Sequence, residues 1–526
     1  MRAVTKFLLP LIGLFAASFA WRFYLTPRTW PVAEVPIAFW SWRVQAPTEN
    51  EVQRAVRKTR AQTLFLRAGQ IDSENHQPRR IRAMTGQFPR GLELHLVYNA
   101  TRSLLADFEQ MNEETLAALL VKTYELDTAR ARSDGATVTG LQLDFDIPTR
   151  LLPRYERLLR KVREVLPPGT KLSITGLPTW MDSSALNQTL TAVDFWIPQL
   201  YGAVIPDRLS QSLPISSPQT LARTIARVRH LDHPFYAGLS AYGYAILYAP
   251  SGALIELRGD LDPAHIAHDS NFELIERRAF ASSQSDSRNH HAPIASEWRY
   301  VYRARADGVV DGLAVRADDR LMLDVPSAEA LRAGVRVVRE EAGVMLLGIC
   351  VFRLPSADDP TTLTLGEVAA ALTDTSSAMA MDVTLTRNAE AQDHTGRLLL
   401  TATNTGTASA LMGNEALQIE LHVPAGSVRG MASSNHFTSF ETLCALPGDE
   451  LSPVPRELRP CSPRRANVVR LKARDWMPGA KAQAALNIAD FASSSLSVII
   501  TASIDDGRVW RDQREIAIRK GGSYDQ

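Results

Sequence analysis

From Val35 to Pro355 the chain alternates short apolar runs with stretches of helical periodicity, and this alternation restricts its fold more than any other feature. Eight runs read as strands: 35–43, 63–69, 92–99, 138–146, 171–178, 193–201, 235–242 and 343–353. Amphipathic helices lie between them. In 154–166, Tyr155, Leu158, Leu159, Val162 and Val165 fall on one face, and Arg154, Arg157, Arg160, Lys161 and Arg163 fill the other as a solvated surface. Stretches 115–126 and 221–231 repeat the pattern. In 327–340, Ser327 is placed to cap a helix whose buried stripe is Leu331, Val335 and Val338. Eight strand–helix units predict a (β/α)8 barrel over 32–355 in preference to a doubly wound open sheet. The polar stretch 250–297 is too long for a plain loop and reads as an insertion at the barrel mouth, or a partly mobile segment. Alternation returns over 298–325.

After Pro355 the texture changes. Residues 356–376 read as a linker with room for one short helix. Runs at 381–387, 397–403, 416–423, 466–473 and 495–504, with an Asp506-Gly507 hairpin turn, then predict an immunoglobulin-like β-sandwich over 377–526. No chemistry shows there. At the other end, Arg2 and Lys6 precede an uncharged run from Phe7 to Trp21, which has the length of a signal-peptide core and falls short of the roughly 20 residues of a comfortable membrane span. Ser18 and Ala20 supply a small-x-small cleavage pattern. Residues 1–21 are therefore expected to be a signal peptide, or else a retained tether to the inner membrane through 7–21. Either places the protein outside the cytoplasm, periplasmic or extracellular. Such a compartment permits a Cys444–Cys461 disulfide across a Pro-rich loop, with two unpaired thiols as the alternative; Cys350, in an apolar run, reads as buried.

Several function classes drop out. Lys+Arg number 58 against 57 Asp+Glu, a formal net charge of +1, so no basic field favours nucleic acid. No phosphate-cradling glycine loop appears, and Gly238-Leu-Ser-Ala-Tyr-Gly243 lacks the glycine two residues after its serine that a nucleophile elbow needs. His95, His290 and His291 have no partners at metal-type spacing, so neither metal nor cofactor is expected. The informative strand is 139–146, Thr-Gly-Leu-Gln-Leu-Asp-Phe-Asp. Gln142, Asp144 and Asp146 share one face and Leu141, Leu143 and Phe145 the other. In a barrel the apolar set meets the helices, so the polar set points at the axis near the strand's C-terminal end, where barrel active sites are built. Two neighbouring carboxylates raise the pair's second proton release, the condition for a general acid at neutral pH. The alternative is an amphipathic strand whose polar face meets water.

Gly140-Leu-Gln-Leu-Asp-Phe-Asp146 resembles the fourth-strand signature of the family-18 glycoside hydrolases, the chitinases and their lectin-like relatives, Asp-Gly-x-Asp-x-Asp-x-Glu. Val193–Tyr201 is similar to that family's sixth strand, Phe235–Gly243 to its seventh, and 312–353 to its closing segment, with 250–297 as the counterpart of its insertion. A closer likeness is to an uncharacterised family of exported bacterial barrel proteins that share the Gln-x-Asp-x-Asp strand. The resemblance implies Asp146 as general acid, Asp144 as the group orienting the substrate's acetamido arm, and Tyr201 as donor to the acetamido carbonyl. The sequence departs from the pattern at Thr139 and Gln142, which replace the first two aspartates, at Asp146, which replaces glutamate, and at Gly202, which follows Tyr201 in place of aspartate. A glycan is the expected partner. Trp40, Trp42, Tyr98, Trp180 and Tyr242 are candidates to stack on sugar rings; Asn99, Gln142, Gln199 and Arg353 are candidates to bond hydroxyls, and Arg67 could pair with a mouth carboxylate. The expected function is glycoside hydrolysis on an envelope or extracellular polysaccharide, with carbohydrate binding on a degenerate barrel as the alternative. An envelope assembly protein that recognises its partner through the sandwich is a third.

Overall fold

The computed structural model describes residues 30–31, 34–202, 207–210, 218–281, 295–356, 358–389, 395–414, 416–445, 458–489, 493–504 and 508–520. The signal or anchor segment 1–21 lies outside them. Among the described residues no helix is long and apolar enough to cross a membrane.

Eight parallel strands close into a barrel: β1 (Ile37–Ser41), β2 (Thr63–Glu74), β3 (Glu93–Ala100), β4 (Thr137–Asp144), β5 (Lys171–Gly176), β6 (Phe195–Pro198), β7 (Phe235–Ser240) and β8 (Leu346–Phe352). Closure is made by β1 pairing with both β2 and β8, with Ile37 opposite Ile349 and Ala38 opposite Thr63. The eight expected strands are all present. Their periodicity sorts them: Leu141, Leu143 and Phe145 join the outer core under the helices, while Ala38, Trp40, Phe65, Val97, Phe195, Ile197 and Cys350 fill the interior. His95 lies among Phe65 and Phe195 at ring separations of 4.9 and 5.4 Å, and burial pushes its pKa down to about 4, so it is neutral.

The outer helices start where their caps dictate. In α1 (Glu49–Thr59) the Thr48 hydroxyl accepts from the Glu51 N–H, and the Glu51 carboxylate accepts from the Thr48 N–H. In α3 (Leu152–Val165) the stripe Tyr155, Leu158, Leu159 and Val162 is buried, but Val165 is exposed because the helix ends there. Its basic face is a solvated ion-pair surface, with Arg157 reaching Glu113 and Lys161 reaching Glu164. Ser327 caps α6 (Ala328–Glu341) as expected.

The insertion is larger and better formed than an irregular 250–297 segment. Strands Tyr244–Tyr248, Leu254–Arg258, Phe272–Ala281, Ala295–Ala304 and Arg320–Pro326 make a five-stranded antiparallel sheet between β7 and β8. Its core includes Leu247, Ile266, Phe272, Tyr302 and Leu321, and residues 282–294 lie outside the described ones. Beside this core the buried Arg299 forks onto Asp324 with two bonds of 2.7 Å. The 356–376 stretch is part of the barrel wall: α7 (Leu365–Leu372) lays Val368, Ala371 and Leu372 on the outer core.

The C-terminal region is a ten-stranded, mostly antiparallel sheet folded over one core, to which Leu385, Leu400 and Leu486 contribute from one half and Ile419, Leu471 and Val498 from the other. The last strand, Val509–Lys520, joins the halves, antiparallel to Ser495–Ser503 and parallel to Met381–Ala389. Cys444 and Cys461 form the expected disulfide at a Cα separation of 5.8 Å, and Cys350 is a buried free thiol.

Candidate active site at the barrel mouth

Gln142 and Asp144 follow one another up the inner face of β4, and Asp146 continues that face into the loop beyond it. They do different jobs. Gln142 is fully buried; its carbonyl accepts from Trp40 Nε1 at 3.0 Å, and its amide faces Ser173 Oγ at 3.4 Å. It is thus a strut beneath the site, and not a group offered to a ligand. Asp144 is partly buried, and its Oδ1 accepts from the Thr175 hydroxyl of β5 at 2.6 Å. Burial, then the charge of Asp146, push the Asp144 carboxyl up to about 7, against smaller opposing effects of Thr175 and Arg67. Asp146 reaches solvent, yet the walls around it desolvate its carboxyl enough to raise that pKa as well. Both carboxyls are thus pushed up, and the pair retains a proton toward neutral pH.

Opposite these acids stands an aromatic wall. Tyr201 lies nearly parallel to Phe352, at a centroid separation of 5.8 Å, and Tyr242 meets Phe352 edge-on at 5.0 Å. Trp40 packs 4.8 Å from Phe352, and the exposed Trp42 sits 5.7 Å from Trp40. Arg67 lies 4.6 Å over the Trp42 ring and donates to the Trp42 carbonyl at 3.1 Å, so its charge biases Asp144 without a direct ion pair in the described contacts. Asn99 pairs in register with Asp144. Asn99 Oδ1 and Arg67 Nε are buried without hydrogen-bond partners among the described residues, which leaves two polar groups free at the mouth. Gln199 continues β6 on the inner side, bridging to Gly238 of β7.

Besides Gln142, three expected ligand-contacting residues are not offered to a ligand, two of them placed away from the mouth and one already paired. Tyr98 turns to the helix layer, fully buried, with its hydroxyl donating to Asp127 at 2.7 Å. Trp180 is likewise fully buried, donating to the Ile147 carbonyl at 2.8 Å and packed on Tyr155. Tyr98 sits at an outward step of its strand, and Trp180 lies past its strand in the short helix Pro178–Asp182, which strand-end position alone does not reveal. Arg353 is at the mouth, but its guanidinium is spent on Asp359, Thr361 and the Gly259 carbonyl. Sequence reasoning missed Phe352 and Thr175. The inward alternation Ser173, Thr175 in β5 was a readable signal for the second; Phe352 was hidden in a run of apolar residues with no distinguishing neighbour.

No curated protein matches the chain. Among solved structures it is similar to the Bacillus cereus spore cortex-lytic enzyme SleL, at 14% identity over 65% of this chain and 74% of that one, with a TM-score of 0.39. A chitinase from Chromobacterium violaceum is similar at 14% identity over 64% and 99% of the two chains, with a TM-score of 0.41. One from Bacteroides thetaiotaomicron is similar at 8% over 65% and 97%, with a TM-score of 0.38. Residues 85–271 match the family model described as a domain of unknown function, DUF3142, a span that carries β3 to β7 and with them Asp144, Asp146 and Tyr201.

Proposed function

We propose that the barrel mouth binds a glycan and cleaves a glycosidic bond by carboxyl acid catalysis, in an exported protein acting on an envelope or extracellular polysaccharide. The observation that carries this reading is the Asp144–Asp146 pair, two acids on one inner strand face that retain a proton near neutrality beside an aromatic wall. Asp146, the solvent-reaching member, gives the pair's proton to the leaving oxygen as the glycosidic bond breaks; water adds to the anomeric carbon, and its proton returns to the Asp144–Asp146 pair. The Tyr201 phenol, whose pKa burial holds well above its usual value, stays protonated and donates to the substrate. Tyr242, Phe352 and Trp42 offer ring faces to sugars, and Asn99 and Arg67 directional bonds.

The test is release of reducing ends from peptidoglycan, chitin oligomers and exopolysaccharides. Asp146→Asn is expected to lower turnover by about 10²–10⁴-fold with an unchanged melting temperature. Turnover that survives this change would remove the mechanism. Binding without cleavage is favoured by one observation, the aspartate at 146 where the resembling family has glutamate. The shorter arm withdraws the donor by about 1.5 Å, enough to cost about 100-fold. In that case calorimetry shows sugar binding that Asp146→Asn leaves intact and Trp42→Ala abolishes.

A further inference from the structure

Far from the barrel mouth, three side chains from distant parts of the chain converge where the insertion meets the C-terminal sheet. His268 ends the short insertion helix Pro263–His268; His436 and Asp475 come from loops of the C-terminal region. The Nε2 atoms of both imidazoles face the same oxygen, Asp475 Oδ1; His436 stands 3.2 Å from it and His268 is closer still. The three ligand atoms lie within 4.8 Å of one another. Both imidazoles are partly exposed, and the carboxylate is buried at 3%.

We propose that His268, His436 and Asp475 bind a divalent transition-metal ion of the zinc class, which clasps the insertion to the C-terminal region. The Asp475 carboxylate is buried at 3% between two imidazoles whose rings stand 5.0 Å apart, and a buried carboxylate calls for a cationic partner. A divalent ion supplies the counter-charge and lets both rings coordinate as neutral donors. Two imidazoles and a carboxylate are a zinc-type donor set. Metal–ligand bonds of about 2.0–2.1 Å imply ligand–ligand edges of about 3.3 Å in a tetrahedron, close to the His436–Asp475 spacing. Asp475 also lines a cavity of about 720 Å³ with Met412, Tyr300 and Leu261. The backbone at His436 is left-handed, φ 63°, a conformation costly for a residue with a side chain and held here beside the carboxylate.

The experiment uses the full chain, stripped with a chelator and titrated with Zn²⁺ alone by calorimetry and Co²⁺ alone by visible absorption. One equivalent is expected to bind, with tetrahedral Co²⁺ bands and a zinc-dependent rise in melting temperature. His268→Gln and His436→Gln are each expected to weaken binding by more than the ~10–100-fold that an outer-shell partner is worth, and to abolish the melting shift. Asp475→Asn is scored the same way, provided its near-ultraviolet circular dichroism matches the parent. No stoichiometric uptake by the folded parent, or uptake that both histidine variants retain, overturns the proposal and leaves a hydrogen-bonded trio.

Discussion

Asp144 ties the site to the stability of the whole chain. Its carboxyl titrates at about 7 in the folded protein against an ordinary value of 3.8. Between these values the folded state holds a proton that the unfolded chain has released, so stability falls as pH rises through that window and the penalty is complete above it. Asp144→Asn keeps the acceptor for Thr175 and removes the penalty. Its unfolding free energy should exceed the parent's at about pH 8, by at most about 4 kcal/mol and less for partial solvation, and match it at about pH 4. An equal shift at both pH values would show that the carboxyl is not buried with its proton. In the same way, kcat/KM for any glycan substrate should fall above about pH 7 as the pair loses that proton. The alternation of 139–146 placed this pair correctly from sequence. That Asp144 is the deeper of the two and Asp146 the one reaching solvent follows from tertiary packing, which alternation does not encode.

Strands and sheets carry their own tests. In β4, Gly140 faces the barrel interior, where an added Cβ would lie 2.2 Å from His95 Nδ1, and that ring is hemmed in by Phe65 and Phe195. Gly140→Ala should cost about 1–3 kcal/mol in urea unfolding, the usual price of overpacking; a neutral result would mean that the barrel floor is loosely filled. In the insertion, Arg299→Met strands the Asp324 carboxylate, at 0% side-chain exposure, and should cost about 3–5 kcal/mol. The double change with Asp324→Leu should recover most of it, a pattern that a surface pair would not give. The eight barrel strands and their helices were legible because each carries its own period. Of the insertion sheet only the alternation over 298–325 was, which carries parts of strands Ala295–Ala304 and Arg320–Pro326; the other strands are broken by polar turns.

On the scale of the molecule, barrel, insertion and C-terminal sheet are interlocked. The buried Glu367 of α7 accepts from Ser409 Oγ at 2.5 Å, Glu329 accepts from the Ser377 N–H at 3.0 Å, and the Tyr300 hydroxyl lies 3.2 Å from the Met412 nitrogen. Calorimetry of the full chain should therefore give one unfolding transition, and two well-separated ones would refute the coupling. Opening the Cys444–Cys461 loop of 17 residues should lower stability by about 3 kcal/mol, measured as a denaturant midpoint shift on reduction. The barrel, its strand order and the inward acid pair can be read from the order of residues, because strand period and helix period are local properties of consecutive residues. Which aromatics reach the mouth, the pairing of Arg353, and the meeting of His268, His436 and Asp475 emerge from packing. Those depend on which way a side chain turns at a strand end and on contacts between residues far apart in the chain, 207 positions for His268 and Asp475, distances over which no local pattern carries information.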